Sequence, residues 1–505
     1  MTLSFTSYIF GKLKNVFSYL KNTYLFYVIS LIYSKIVSSF SKSLIRNLVV
    51  NETKYEKSYK VSFIYNFVDF LIKKITKFFK SIYNFIKKIS DTSFTEFIYN
   101  NTLKKIKAEY FLALFIFLML TIKHEYWNNL YAFIGAFAFS IIYFILYLSG
   151  KNVSFNVKGL SFSVVAFILA VISSVFISPV FFDSLRIGLL FIASVMFMLI
   201  IWGLVQDEKT LKCLVGVIIA ALCVMSLYAI YQNHIGIEID ELLTDTITNR
   251  GMPGRAYSTF QNPNNFAQVI VMIIPFIYAM IISSKSKWAK LAFLFSFALS
   301  MIALGLTYSR SCYIAFAIST LAFAFIYDWR LIIPIGVIAF LAFPLLPDSI
   351  INRIFTIGSL KDTSNSYRVY LWEGVIKLIK HTGISGVGIG PEAYKSAYSS
   401  FANVWAAKAP HSHMLYMELF LEIGLIGFIS YFAMMYMALK KGFRYVKKTS
   451  KTLKCMIIAS ISSFFGISFT ACAEYIWFYP RVMVVFFIVI GILLASAKLS
   501  KRNLE

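Results

Sequence analysis

The sequence predicts an all-α polytopic membrane protein, and three observations support this fold class. Of the 505 residues, 59% are hydrophobic and only 14% are charged, whereas a soluble domain carries roughly 25% charged residues because its surface faces water. Apolar runs recur between residues 110 and 497, and many approach the roughly 20 residues that an α-helix needs to cross a bilayer. The runs are continuous rather than alternating, which excludes a transmembrane β-barrel.

The net charge and the cysteines argue against two other classes of protein, nucleic-acid-binding proteins and secreted disulfide scaffolds. The formal net charge is +26, and in a membrane protein such an excess is typical of cytoplasmic loops and of attraction to anionic lipid head groups rather than of nucleic-acid binding. The five cysteines lie in predicted spans without CxxC spacing, so we interpret them as small apolar packing residues. A secreted disulfide scaffold is therefore excluded.

Residues 1–109 are predicted to form a basic amphipathic extension in the cytoplasm. They hold 18 Lys and Arg against 6 Asp and Glu, a net charge of +12, which is too basic for a span. Between Val61 and Ile89, apolar residues recur every three to four positions with lysines between them: Phe63, Phe67, Phe70, Ile75, Phe78, Ile82 and Phe85, with Lys73, Lys74, Lys77, Lys80, Lys87 and Lys88. This pattern predicts a helix that lies on an anionic membrane surface. The stretch Tyr24 to Ile36 is apolar enough for shallow insertion but is too short to span.

About twelve transmembrane helices are predicted in a core that covers residues 110–497, followed by a cytoplasmic tail, 498–505. The predicted spans are 110–122, 130–149, 160–178, 184–205, 211–232, 263–282, 288–307, 311–327, 331–347, 413–439, 454–472 and 481–497.

The basic loops orient these spans. With twelve crossings, the lysine-rich segments 151–158, 209–212, 285–290 and 440–454 and the tail all fall on one side, which the positive-inside rule assigns to the cytoplasm together with both termini. Two long loops then lie on the outer face, 233–262 and the larger 348–412 between spans 9 and 10, and loops of this length are usually functional. Within the larger loop we expect an amphipathic helix from Tyr367 to Lys380, with Tyr367, Tyr370, Leu371, Ile376 and Ile379 on its buried face. The glycines from Gly383 to Gly390 are interpreted as turn-forming rather than phosphate-binding, because GVGIGP is not GxGxxG.

Three arginines, Arg186, Arg255 and Arg310, lie in short outer segments or at their membrane edges. An arginine at such a boundary can simply reach to water. Alternatively, the guanidinium group carries a fork of donors that matches phosphate oxygens, so several arginines at one membrane edge would suit a lipid-linked diphosphate.

A second group of polar residues opens the tenth predicted span. At 100° per residue, His411, Glu418 and Glu422 share one helical face and His413 points nearly the opposite way. The carboxylates are expected to face the protein interior, because a charge in the bilayer is costly. The positive end of the helix dipole keeps imidazole neutral, as a general base must be, although a boundary histidine can also be a simple interfacial hydrogen bonder. A metal site is not expected, because two histidines nearly back to back have no acidic pair beside them.

Taken in order, the motifs resemble the O-antigen ligase and O-antigen polymerase family. The matching segments are Arg255-Ala-Tyr-Ser-Thr-Phe-Gln-Asn-Pro-Asn, Thr-Tyr-Ser-Arg310-Ser, Tyr-Arg368-Val-Tyr-Leu-Trp, Gly386-Val-Gly-Ile-Gly390, and His413 with Gly424 and Gly427. The likeness covers about residues 110–495. Met414 departs from the Asn, Ser or Gln that usually follows the family's histidine.

The resemblance implies an enzyme that transfers glycan at the outer face of the bacterial plasma membrane. Its donor would be a polyprenyl-diphosphate-linked glycan and its acceptor a hydroxyl group of a glycan or lipid, without a metal ion or other cofactor. By the family spacing, His413 would be the general base and Arg255, Arg310 and Arg368 would bind the diphosphate, with His411, Glu418 and Glu422 in support. Ligase and polymerase remain open, and a transporter or flippase of lipid-linked saccharides is the alternative from another class.

Overall fold

The computed structural model describes residues 24–43, 61–90, 107–148, 161–238, 253–358, 363–447 and 449–504, with a few single positions between 46 and 58. The predicted basic segment 151–158 and the middle of the predicted loop 233–262 lie outside these residues. No strand occurs in the part of the chain that is described.

The described helices follow one another along the whole chain, with short connections in most places. In chain order they are α1 (Tyr24–Lys42), α2 (Phe63–Ser90), α3 (Ala108–Thr121), α4 (Asn129–Leu148), α5 (Ser161–Ile177), α6 (Phe181–Leu204), α7 (Glu208–Ile235), α8 (Pro263–Ser283), α9 (Lys287–Leu306), α10 (Arg310–Asp328), α11 (Ile332–Ala342), α12 (Asp348–Phe355), α13 (Thr363–Thr382), α14 (Pro391–Tyr398), α15 (Leu415–Tyr445), α16 (Lys451–Thr470) and α17 (Pro480–Arg502).

Within the described residues, nine helical stretches are long and apolar enough to cross a membrane. They are α4, α6, α7, α8, α9, the stretch Arg310–Leu345, α15, α16 and α17. The multi-pass membrane class predicted from composition is therefore confirmed. The count of twelve crossings remains a prediction, because the apolar helices α3 and α5 have only 14 and 17 residues.

The stretch Arg310–Leu345 reverses direction within its length. Asp328 has an extended backbone (φ −159°, ψ 110°), and its carboxylate accepts the backbone N–H of Arg330 at 3.1 Å. A straight helix of 36 residues would be about 54 Å long. The guanidinium of Arg310 nevertheless donates to the carbonyl of Thr356 at 3.0 Å, just beyond the far end of the stretch. The helices α10 and α11 therefore run in opposite directions.

The centre of the bundle is α17, which is almost entirely buried and packs against α6 and α16. Helix α16 packs in turn against α8 and α10. A helix that is hydrophobic all round, as α17 is, can be buried on every side.

The two ends of the bundle differ in chemistry. At one end, called here the basic end, Lys498 donates to the carbonyls of Trp202 and Val205 at 2.6 Å each, and Ser450 donates to the carboxylate of Glu208 at 2.6 Å. The other end, called here the site end, carries α12 to α14 and the turn between α9 and α10.

Helices α13 and α14 cover the site end and share a small apolar cluster that includes Leu371, Val375 and Leu378. The predicted helix 367–380 is confirmed as part of α13, but its buried face is partly wrong. Tyr370 and Ile376 are exposed, because the face that packs on the cluster follows positions 371, 375 and 378.

Candidate functional site

The two histidines lie in the turn that precedes α15, not on the helix. Helix α15 begins at Leu415, and Met414 before it has an extended backbone. The predicted opposite orientation of His411 and His413 is therefore wrong: their ring centroids are 4.2 Å apart. His413 has a φ of 51°, in the left-handed region that few side chains other than Asn, Asp and His adopt readily.

Hydrogen bonds from buried groups hold this turn in place. The backbone N–H of Ser412 donates to the carboxylate of Glu418 at 2.6 Å, and the backbone N–H of His413 donates to Nδ1 of His411 at 3.1 Å. His411 is buried, and burial, followed by the neighbouring His413, lowers its pKa well below the usual range. His411 is therefore a neutral support whose Nδ1 carries no proton.

Glu474, between α16 and α17, is the residue that joins the predicted site residues. Its Oε1 accepts from Nη2 of Arg368 at 2.5 Å and from Nδ2 of Asn264 at 3.4 Å, and its Oε2 lies 3.5 Å from Nδ1 of His413. Burial alone would raise the pKa of Glu474, but Arg368 and then His413 lower it to about 2. A charged carboxylate therefore stands between an arginine and an imidazole.

The carboxylate of Glu474 determines which ring nitrogen of His413 can accept a proton. A carboxylate facing Nδ1 favours the tautomer with its proton on Nδ1, which leaves Nε2 as a proton acceptor. The 3.5 Å separation is long, but such bonds often tighten only when substrate is bound. The side chain of His413 is 26% exposed, so a bound molecule can reach it.

Arg255 enters the same network from the segment before α8. Its Nη2 donates to Oδ1 of Asn264 at 2.5 Å, and its Nε donates to the carbonyl of Thr307 at 2.8 Å. Burial, followed by the charge of Arg353, lowers the pKa of Arg255 to about 10. Asn264 thus links Arg255 to Glu474.

Arg310 is the first residue of α10 and directly follows the tight turn between α9 and α10. Its guanidinium donates to the carbonyl and hydroxyl of Thr356 at 3.0 and 3.3 Å. Arg186 lies in a separate cleft that Glu125 and Asn128 also line.

Sequence reasoning missed Arg353 and Glu474. Arg353 is buried, and its Nε donates to the carbonyl of Tyr308 at 3.1 Å, close to Arg310. Nothing in the local sequence marks it, because α12 resembles an ordinary short amphipathic helix. Glu474 did carry a signal, since it is a lone carboxylate in the short connection between two spans.

Glu418 and Glu422 face the protein interior, as predicted. The carboxylate of Glu422 accepts from the backbone N–H of Gly390 at 2.9 Å and from the hydroxyl of Tyr475 at 2.7 Å. Both carboxylates therefore hold loops of the site end in position rather than facing the space around His413.

The glycine run packs against a break in α15. Gly424 has a φ of 65° inside the helix, and the N–H of Leu425 beyond it donates to the carbonyl of Ile384 at 3.0 Å. A Cβ on Gly386 would come within 2.8 Å of the carbonyl oxygen of Leu421. These glycines therefore allow close backbone contact, in agreement with their interpretation as structural.

Within the described residues, no group of three or more His, Cys, Asp or Glu side chains is arranged to hold a metal ion. A reaction without metal stays a prediction.

Comparison with known protein families finds a match. Residues 295–432 match the family model described as O-Antigen ligase, which confirms the resemblance over this region. The matched residues include Arg310, Arg368 and His413, whereas Arg255 and Glu474 lie outside them. No curated protein matches the chain.

Proposed function

Starting from this match to the O-antigen ligase family, we propose that the protein is a membrane glycan transferase. It moves a polyprenyl-diphosphate-linked glycan to a hydroxyl group of a glycan or lipid acceptor, in the synthesis of a cell-surface polysaccharide. The observation that carries the proposal is the single hydrogen-bonded network of His413, Glu474, Arg368, Asn264 and Arg255 at one end of a multi-pass bundle.

The protein works in the bacterial plasma membrane with twelve crossings, and its site end faces outward. Lys209, Lys285, Lys440 and Lys498 lie in the segments that the positive-inside rule assigns to the cytoplasm. Both termini follow on that side. The core of residues 110–497, with the outer loop 348–412, is then the catalytic unit, and residues 1–109 are an added cytoplasmic part.

The arginines hold the diphosphate of the donor. Arg255, Arg310 and Arg368 surround the site from three different segments, and guanidinium groups match phosphate oxygens with two parallel hydrogen bonds. When the bond between the sugar C1 and the diphosphate oxygen breaks, its electron pair stays on the diphosphate. Fixed positive charges at that point stabilise the departing anion, so the leaving group needs little proton donation.

His413 activates the acceptor. Its Nε2 takes the proton of the acceptor hydroxyl as the oxygen bonds to C1, and the carboxylate of Glu474 at Nδ1 stabilises the imidazolium that forms. His411, Glu418 and Glu422 support the turn and the loops around it.

A reconstitution experiment tests this function. The purified protein, in liposomes with a labelled polyprenyl-diphosphate oligosaccharide, should release polyprenyl diphosphate and produce a longer or transferred glycan, and the His413→Ala variant should not. Lengthening of the lipid-linked glycan identifies a polymerase, and transfer to a separate lipid acceptor identifies a ligase. Movement of intact lipid-linked glycan across the bilayer, without loss of the lipid, would contradict the proposal and favour a transporter.

A further inference from the structure

The N-terminal extension contacts several helices at the basic end of the bundle. In α1, the ring of Tyr33 stacks on Trp329 with centroids 5.1 Å apart, at the turn between α10 and α11. Further along, the carbonyl of Leu48 accepts from the hydroxyl of Tyr436 in α15 at 2.6 Å. The extension is therefore in contact with the core rather than separate from it.

Helix α2 reaches the same end through a different contact. The ring of Phe79 meets Phe144 edge to face, with centroids 5.2 Å apart. Phe144 lies four residues before the end of α4 at Leu148, and α4 is one of the helices that are apolar enough to cross the membrane. Four residues of helix rise by about 6 Å, so Phe144 lies close to the end of the apolar helix α4.

The side of α2 that carries a phenylalanine stripe is not used in this contact. Phe63, Phe67, Phe70, Phe78 and Phe85 fall within about 80° of one another on the helix, and each is between 48 and 81% exposed. The contact residue Phe79 lies well to the side of this stripe. Five exposed aromatic rings on one face of a helix indicate a surface that binds a membrane or another molecule.

Lysines flank the stripe. Lys73, Lys77 and Lys80 are exposed and fall within about 60° of one another on the adjacent face, whereas the exposed Lys74 lies within the arc of the stripe. The ammonium of Lys74 lies 5.7 Å from the ring of Phe70. Aromatic residues on one face and lysines beside them are typical of helices that lie in the interface of an anionic membrane.

We infer that α2 is an interfacial anchor that inserts its phenylalanine stripe into the anionic leaflet at the basic end. The bilayer is the partner that best fits the stripe, because α2 packs near the end of α4, a helix that is apolar enough to cross the membrane. The lysines then meet anionic lipid head groups. The anchor does not depend on the chemistry proposed for His413.

Spin labels in the full-length protein test the insertion. Cysteines are placed at Phe67 and Phe78 on the stripe and, as matched controls, at the exposed Asn66 and Asn84 on the polar face, after the five native cysteines are replaced. In nanodiscs of phosphatidylcholine with phosphatidylglycerol, the stripe labels should collide readily with oxygen and poorly with a water-soluble nickel complex, and the control labels should show the reverse. Labels at the stripe that are open to nickel would overturn the inference. Labels shielded from both reagents would also overturn it, because they would indicate a protein partner or a second copy.

The lysine contribution has its own test, which uses the unlabelled native chain. A lysine near an anionic surface strengthens binding by about fivefold, so hydrogen exchange of residues 63–90 should slow at least tenfold when phosphatidylglycerol is added to neutral nanodiscs. Replacing Lys73, Lys74, Lys77 and Lys80 with Gln should remove most of that response. Equal hydrogen-exchange rates of residues 63–90 in neutral and anionic nanodiscs would refute the preference for anionic lipid. Because this test uses the native chain, it does not depend on the folding of the cysteine variants.

Discussion

Replacing Glu474 with Gln tests the network at its centre. The substitution keeps the size of the side chain and one oxygen acceptor but removes the charge between Arg368 and His413. Unit charges 3.5 Å apart attract by about 5 kcal/mol at an effective dielectric constant of about 20. Glutamine keeps an amide dipole that supplies part of this attraction. The transition state should therefore lose about 3 to 4 kcal/mol of stabilisation, which lowers turnover roughly 10²- to 10³-fold.

The assay separates positioning from binding. Single-turnover rates with the labelled lipid-linked donor should fall by that factor, and the donor concentration for half-maximal rate should change much less, because Arg255 and Arg310 remain. The control is Glu392→Gln on α14, which removes an exposed carboxylate paired with Lys395 and should leave the rate unchanged. A folded Glu474→Gln variant with a turnover within threefold of the unsubstituted protein would refute the role given to Glu474.

Stability measurements check the same residue independently of activity. The pKa of Glu474 is lowered from its ordinary value of 4.5 to about 2, so its contribution to stability is present above about pH 4.5 and is lost as the pH falls toward 2. The thermal midpoint of the Glu474→Gln variant should therefore be lower than that of the unsubstituted protein at pH 7. The difference between them should shrink between pH 4.5 and pH 2, and a constant difference would contradict the charged state.

Four further predictions use simpler changes. His413→Ala should lower turnover by about 10²- to 10⁴-fold, whereas His411→Asn, which keeps an acceptor near Nδ1, should lower it much less; the reverse order would move the base to His411. Arg310→Lys keeps the charge but loses the planar fork, so it should raise the donor concentration for half-maximal rate, and an unchanged value would leave Arg310 a structural residue. Gly424→Ala should lower the free energy of unfolding by about 1 to 3 kcal/mol, because φ is 65° and the new Cβ would come 2.6 Å from the carbonyl oxygen of Ile384. Its control, Gly216→Ala in open space within α7, should be neutral or stabilising. In intact cells that carry a cysteine-free background, an impermeant thiol reagent should label Val404→Cys but not Lys451→Cys, and the opposite pattern would invert the proposed orientation.

The helical framework could be predicted because each span is a local feature. A run such as 263–282 is apolar without interruption, and it is found as α8, Pro263–Ser283. Length and hydropathy decide such a helix before any tertiary contact forms. The reversal near Asp328 followed from the same reasoning, because charged residues interrupt the apolar run there.

The geometry around His413 could not be predicted in the same way. Extending the helical period back from Leu415 placed His411 and His413 on opposite faces, but the helix begins only after them and His413 has a positive φ. Glu474 is 61 residues from His413 along the chain, and periodicity contains no information on such a contact. Its position in a short connection between two spans was visible in the sequence, but its contact with His413 was not.

The break at Gly424 has a mechanical consequence for how substrates gain access. Backbone hydrogen bonds from Val387 to Leu421 and from Leu425 to Ile384 join the glycine run to the first turns of α15 on both sides of the break. The same turns carry Glu418, which holds the backbone between the two histidines. A lid that opened by lifting this glycine run would drag the proposed base with it. In the proposed reaction, donor and acceptor would therefore enter past other edges of the site end, while the glycine run and the start of α15 stay joined.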